Sequence, residues 1–285
     1  MTGLTFPQLG SLLLGRYRIR TSSATSPHLP CRFKAFDQQR SRFVHLDVLA
    51  KHDHRAAGLR AEYAALSRIF GPAIVEPYDY FEDDTLVVFS TEWIDARPLK
   101  SLLAAGLHLH TATKVEILHD LSHALASAHY RSVIHRGLSS ESVLIRTCVP
   151  SDETQRVMLR GFDARRPVYL SDVMDTGRML ARTVYDAPEI ATGHGYSMRS
   201  DIYALGVLAF EIFTGALPYG SLSPFEAAQQ RFSRGLPRLR PSRETPHWIP
   251  ALVSTCTHPC PKKRVASMRD VQQFIESEGA IRTSR

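Results

Sequence analysis

Apolar and polar residues alternate from Arg42 to Leu49, with Val44, Leu46 and Val48 on one face and Phe43, His45, Asp47 and Leu49 on the other. This pattern predicts a β-strand in which His45 and Asp47 point the same way. Arg16 to Arg20 and Cys31 to Asp37 read as further strands joined by TSSATSPHLP, a segment rich in turn formers. The period then changes. Leu59, Glu62, Tyr63, Leu66, Ile69 and Phe70 recur at helical spacing between Arg55 and Phe70, and Gly71 and Pro72 predict the stop. Glu62 thus rides on an otherwise apolar stripe. A strand at Leu86 to Ser90 runs into TEWIDARPL, a polar crossover that reads as a hinge.

Beyond the hinge the helical period dominates. Thr113 and Glu116 have capping-box spacing ahead of Ile117, Leu118, Leu121, Leu125 and Ala128, which predicts an amphipathic helix with its apolar face in the core. From Asp201 the segment DIYALGVLAFEIFTGALPYG is apolar all round until Gly215 and Pro218, the mark of a helix buried on every side. Strands fill the first third and helices the remainder, so the pattern predicts two lobes of different character.

Composition narrows the classes. At 44% apolar and 22% charged residues the chain is ordinary globular material. No stretch reaches the roughly 20 uninterrupted apolar residues of a membrane span, and MTGLTFPQLG has neither a basic start nor an apolar core. The expectation is a cytoplasmic protein. Cys31, Cys148, Cys256 and Cys260 are too scattered for a disulfide framework, which fits a reducing compartment. The net charge of +7 favours anionic partners, but the arginines are spread along the chain and no basic motif is interleaved with aromatics, which disfavours nucleic acid.

Motifs sharpen the picture. HRGLSSESVLI at His135, APE at Ala187 and SDIYALGVLAFEIFTGALPY at Ser200 resemble three landmarks of the eukaryotic-like serine/threonine protein kinases, in the flavour of their bacterial members: the catalytic loop HRDLKPENVLI, the APE motif and the helix after it. RYRI at Arg16, KAFD at Lys34, RAEYAAL at Arg60 and KKRVAS at Lys262 match in the same order, so the likeness covers about residues 12 to 277. It implies an α+β bilobal fold. Residues 1–11 would form a tail, 12–94 an N-lobe of small antiparallel sheet and one main helix, 95–278 a larger, mainly helical C-lobe, and 279–285 a second tail. The resemblance also implies that Glu189 pairs with Arg264, that Asp201 anchors the catalytic-loop backbone, and that His135, Phe162 and Leu66 join an apolar spine linking the lobes. Arg136 is the family residue that grips a phosphate on the activation segment, where Ser171, Thr176 and Thr183 lie. The plainer alternative is an arginine satisfied by carbonyls or a carboxylate.

The departures from the family fall on its chemistry. Phosphoryl transfer needs a phosphate-covering loop, a cation, metal ligands and a base. TSSATSPHLPC has no glycine and two prolines in place of the glycine-rich loop. VHLD puts Asp47 where the phosphate-binding lysine belongs, while its partner Glu62 remains. Gly137 replaces the base, Ser139 the loop lysine, Ser142 the metal-binding Asn and Gly161 the metal-binding Asp, with Asp163 two residues late. The nucleotide slot is altered as well, with Arg32 and His45 as its roof, Asp47, Glu62 and Thr91 around it, and Leu144 as its floor. Two carboxylates about 4 Å apart repel by about 4 kcal/mol at an effective dielectric of 20. One of them stays protonated, a basic residue moves in, or the helix swings away.

On this basis the expectation is a catalytically inactive pseudokinase, not an enzyme, with no cofactor, that regulates or scaffolds by binding a protein such as a kinase, a phosphatase or a kinase substrate. It would not bind Mg-ATP in the usual mode. The alternative is an atypical serine/threonine kinase or other nucleotide-dependent transferase in which Asp163, Glu141 or Asp47 takes over a metal or base role. No metal site is expected either. His119 and His123 have ligand spacing, but HDLSH lacks the glutamate of HExxH, and Cys256, His258 and Cys260 in CTHPC have no evident fourth ligand.

Overall fold

The strand around His45 lies inside a sheet, with a partner on each side. In the computed structural model, which describes residues 7–22, 31–53, 55–107, 109–147, 156–162, 184–191, 194–220, 222, 226, 230 and 235–280, β4 (Arg42–Ala50) pairs antiparallel with β3 (Cys31–Asp37) and β6 (Leu86–Glu92). With β1 (Leu12–Leu13), β2 (Tyr17–Ser22) and β5 (Pro77–Glu82) they form a six-stranded sheet in the order β1-β2-β3-β4-β6-β5. The alternation sorts its faces as predicted. Val44, Leu46 and Val48 pack with Tyr17, Ile19, Phe33, Ala35 and Val88 in an outer cluster, while Leu49 faces the main core.

Helix α1 (Ala56–Leu66) packs under this sheet and is shorter than its period predicts. The Ser67 hydroxyl and N–H both turn back to the Tyr63 carbonyl and end the helix there. Ile69 is still buried, but Phe70 is 72% exposed and lies under the Arg131 guanidinium instead of in the core.

The remainder is helical around a small sheet of β7 (Ala96–Pro98), β8 (Val143–Arg146) and β9 (Val157–Leu159). Helices α2 (Leu99–Ala104) and α3 (Thr111–Tyr130) follow the crossover. The predicted Thr113–Glu116 capping box does not form. Helix α3 starts three residues earlier, from an extended His110 that makes no side-chain cap, so Thr113 is already inside the helix. Next come α4 (Pro188–Ala191), α5 (Met198–Thr214), α6 (Ile249–Cys256), a 3₁₀ turn at Pro261–Lys263 and α7 (Met268–Ala280).

Helix α5 is the central one. It is capped by a reciprocal Ser197–Ser200 box and stopped by Gly215 at φ 73°, and every residue from Ser200 to Phe213 is buried. The main core runs from Leu66 and Phe89 under the six-stranded sheet through Leu121, Leu125 and Phe162 to Tyr203 on α5. A parallel bridge between Ile74 and Leu159 ties the two parts of the chain, with the Val75 N–H donating to the Leu159 carbonyl at 3.0 Å. This is an α+β architecture of antiparallel sheet lobe and helical lobe. No helix among the described residues is long and apolar enough to cross a membrane.

One glycine sets how closely α5 and α6 approach. A Cβ on Gly206 would lie 2.5 Å from Thr257 Cγ2 and 2.8 Å from Cys256 Cβ, closer than carbon atoms can sit. Gly206→Ala therefore overpacks the helix contact and should lower stability by about 1–3 kcal/mol. Urea denaturation checks this, and an unchanged midpoint would contradict the packing.

Candidate functional site

The catalytic-loop segment is built on Asp201, in the first turn of α5. Its Oδ2 accepts from the His135 N–H at 2.7 Å and its Oδ1 from the Arg136 N–H at 3.0 Å. His129 Nε2, on α3, is 2.9 Å from Oδ2. These bonds hold Arg136 at φ 61°, a conformation that a non-glycine residue adopts only when its surroundings fix it. His135 Nδ1 accepts from the Gly137 N–H at 3.2 Å, and its Nε2 donates to the Arg160 carbonyl at 3.1 Å. Both ring nitrogens are thereby assigned, and the ring packs 4.5 Å from that of Phe162. His135, Phe162 and Leu66 are fully buried, the last two in the one core that crosses between lobes.

Hydroxyl groups organise the rest of the loop. Ser142 Oγ accepts from the Ser139 N–H at 3.0 Å and donates to the Ser139 carbonyl at 2.9 Å. Ser140 Oγ donates to Glu211 on α5 at 3.1 Å, and Tyr185 donates to the same carboxylate. Gly137 carries no side chain, so the loop has no carboxylate at that point. Glu141 does, and Lys100 from α2 meets it at 2.6 Å. A magnesium ion held as the resemblance implies would need oxygen ligands at positions 142 and 161. Ser142 Oγ is engaged by its own loop and Gly161 has none, so these residues do not fit the ion there.

Strand register builds the roof. Arg32 stands opposite Asp47, and His45 opposite both Lys34 and Thr91, so these side chains share the face toward the loop. Arg32 Nε donates to Asp47 Oδ1 at 2.9 Å, and His45 Nδ1 is 3.7 Å from Asp47 Oδ2. Burial alone would push the Asp47 carboxyl up, but the charges of Arg32, His45 and Arg160 outweigh it and hold the group below its ordinary range. Burial also carries His45 down to about 4, so the imidazole is neutral near pH 7. Leu144, on β8, is packed with Val75 and Met158.

Beneath the roof, Glu62 accepts from the Gly161 N–H at 2.9 Å. Gly161 has φ 81°, which its missing side chain permits. Sequence reading treats this glycine only as a lost carboxylate. Here it serves as a backbone donor to the glutamate of α1. Burial, and next the charge of Asp47, pushes Glu62 up to about 7. Arg160 lies in the same field, lowered to about 10 by burial and by Arg32 yet still protonated near neutrality.

Of the outcomes expected for the two carboxylates, a basic residue has moved in beside Asp47, and burial keeps Glu62 partly protonated. Arg32 and Arg160 bring two positive charges against ionised Asp47 and a half-ionised Glu62. Sequence reading overlooked Arg160 and Lys100. The available signal for Arg160 was its place directly before Gly161, at the end of β9.

Other expected groups are placed as follows. Glu189 and Arg264 form a bidentate pair with both bonds at 2.6 Å. Cys256 is buried in α6 with its thiol pushed up to about 12 by desolvation, and Cys260 is exposed. Asp163, Ser171, Thr176, Thr183, Cys148 and residues 23–30 of the TSSATSPHLP segment lie outside the described residues.

Glu62 makes stability depend on pH with a definite sign. Its folded value of about 7 exceeds the ordinary 4.5, so between these values the folded state holds a proton that the unfolded state has released. Raising pH through this window should cost stability, with the full loss reached above about pH 7. Glu62→Gln keeps the acceptor for Gly161 and lacks the titration. The variant should therefore gain on wild type as pH rises from 5 to 8, by a few kcal/mol at most, in parallel urea melts. A pH-independent difference would contradict the raised value.

The family described as protein kinase domain matches residues 31–275. Serine/threonine-protein kinase PknL of Mycobacterium tuberculosis is 30% identical over 243 residues, covering 83% of this chain and 58% of the relative. Serine/threonine-protein kinase PknA of the same species is 26% identical over 288 residues, covering 98% and 64%. Serine/threonine-protein kinase PrkC of Bacillus subtilis is 26% identical over 221 residues, covering 76% and 33%. The chain thus spans between one third and two thirds of the length of these relatives. Each is named as a kinase, and this overturns the expectation, drawn from the missing residues, that the chain is not an enzyme. Matched across most of its length and built as a sheet lobe and a helical lobe around an Asp201-anchored loop, the chain belongs to the protein kinase family.

Proposed function

We propose that this chain is an atypical phosphotransferase of the protein kinase family, in which relocated side chains take over the cleft's charges. The observation that carries this reading is the convergence of Arg32 and Arg160 on Asp47 and Glu62, where the family's phosphate-binding lysine is replaced. Guanidinium groups stay protonated and bind phosphate oxygens in a fork, so two of them supply the cationic field that phosphoryl transfer requires. Arg32 is hydrogen-bonded to Asp47, and Arg160 lies in the field of Asp47 and Glu62, so a ligand with stronger negative charge would compete for both. Lys100, held at the catalytic loop by Glu141, adds a third cation in place of the lysine lost at Ser139.

In this reading the donor is a nucleoside triphosphate and the acceptor a serine or threonine hydroxyl, the chemistry that the relatives' names carry. The acceptor oxygen bonds to the terminal phosphorus, the bond to the nucleoside diphosphate breaks, and the acceptor proton passes to a carboxylate. Glu141 is the best placed to take it. It is partly exposed, it sits on the loop that carried the family's base, and its charge is felt by both Arg32 and Arg160. Arginines replace the ion that Ser142 and Gly161 do not fit.

Radiolabelled ATP supplied to the purified chain with a serine/threonine peptide, with and without chelator, tests this. Wild type should label the peptide in chelator. Arg160→Met should reduce the rate about 10²-fold, in line with removal of one preorganised donor. Glu141→Gln, at a partly exposed position that leaves the fold intact, should lower the rate and remove the acid limb of its pH profile. Wild-type labelling no higher than that of both variants would end the reading.

A further inference from the structure

Far from the cleft, α3 and α7 pack side by side and bring together two imidazoles and a carboxylate. His119 and His123 stand one turn apart on α3, and Glu276 reaches them from α7. One ligand atom from each of the three lies within 4.8 Å of the others. His123 Nε2 is 2.9 Å and His119 Nε2 is 4.0 Å from Glu276 Oε1, and the two rings have centroids 4.4 Å apart. The HDLSH segment lacks the glutamate of HExxH, and its Asp120 lies on Nδ1 of His119; the fold supplies the third ligand from 153 residues further along the chain.

The neighbours of these groups matter as much as the groups themselves. His119 Nδ1 is 3.4 Å from Asp120 Oδ1, a contact in which a proton on Nδ1 would leave Nε2 free to ligate. Gln272 donates to Glu276 Oε1 at 2.9 Å and fixes that carboxylate. A carboxylate on the far nitrogen of an imidazole, and a hydrogen bond on a ligating carboxylate, are the usual supports of metal ligands. All three side chains are partly exposed, so water has access to complete a coordination shell.

We propose that His119, His123 and Glu276 bind a divalent ion of the zinc type that staples α7 to α3. Two imidazoles favour zinc and its late first-row neighbours over magnesium and calcium, which prefer oxygen. Three protein ligands with water in the fourth place is a coordination that zinc accepts. Metal bonds of about 2.0–2.1 Å set tetrahedral ligand atoms about 3.3 Å apart. The 2.9 Å contact lengthens and the 4.0 Å contact shortens to reach this, and rotation of exposed side chains suffices.

The test uses the purified full chain without a histidine tag, titrated with Co²⁺ and then Zn²⁺. Cobalt should give d–d bands without a thiolate charge-transfer band, and one equivalent of zinc should abolish them. Zinc at about 100 times its Kd should raise Tm on the order of 5 °C, reversed by chelator. His119→Ala/His123→Ala, at exposed positions, should keep the metal-free Tm and lose both responses. Asp120→Asn should weaken zinc binding by about 10–100-fold. A thiolate band would move the ion to the cysteines, and zinc binding equal in wild type and double variant would leave a plain histidine–glutamate ion pair. Either result overturns the proposal.

Discussion

The site depends on one buried carboxylate. Asp201 accepts the N–H groups of both His135 and Arg136 while also meeting His129 on α3, so it ties the central helix, its neighbour and the catalytic loop at a single point. Its place in the first turn of α5 lets the helix dipole favour its charge. The dependence then runs outward. With the His135 backbone fixed, its ring packs on Phe162 and donates to the Arg160 carbonyl, which sets the chain entering Gly161, and Gly161 in turn meets Glu62 on α1. Without Asp201, two backbone donors would be buried unpaired at a cost of about 1–3 kcal/mol each.

On this frame the charges of the cleft are set against one another. Asp47 is met by Arg32, directly across the strand pair and at the same height in the sheet. A guanidinium differs from an ammonium in more than position. It keeps its proton under desolvation and spreads its donors in a plane. The acid–base pattern changes accordingly, with Asp47 ionised, His45 neutral and Glu62 poised near neutrality within one group of contacts.

Much of the fold was legible because period and burial agree. The alternation through Val44, Leu46 and Val48 and the continuous apolar run from Asp201 are patterns that few other structures satisfy, and both elements appear where they were expected. Ends were harder to read. Phe70 continues a helical period, but a serine hydroxyl two turns from the helix middle stops the helix first, and Thr113 and Glu116 have capping spacing inside a helix that has already begun. In the site, the residues at motif positions were legible and the charges gathered around them were not. Lys100 meets Glu141 from 41 residues away, so no local pattern marks it, whereas Arg160 was readable only from its place before Gly161. The identities at positions 137 and 161 weighed toward an inert chain, whereas the named relatives point to an enzyme.

The separation of the apolar interior into two clusters has a mechanical consequence. Tyr17, Ile19, Phe33, Ala35, Val44, Leu46, Val48 and Val88 form a cap on the outer face of the sheet, apart from the core that runs beneath it into the helices. Its contacts belong mostly to strands adjacent in sequence, but β4 and β6 also turn Leu49, Val87 and Phe89 into the core, so this layer does not open without disturbing the interior beneath. Strain on the outer face of the sheet is thereby passed through the same strands to Asp47 and Thr91 on the opposite face.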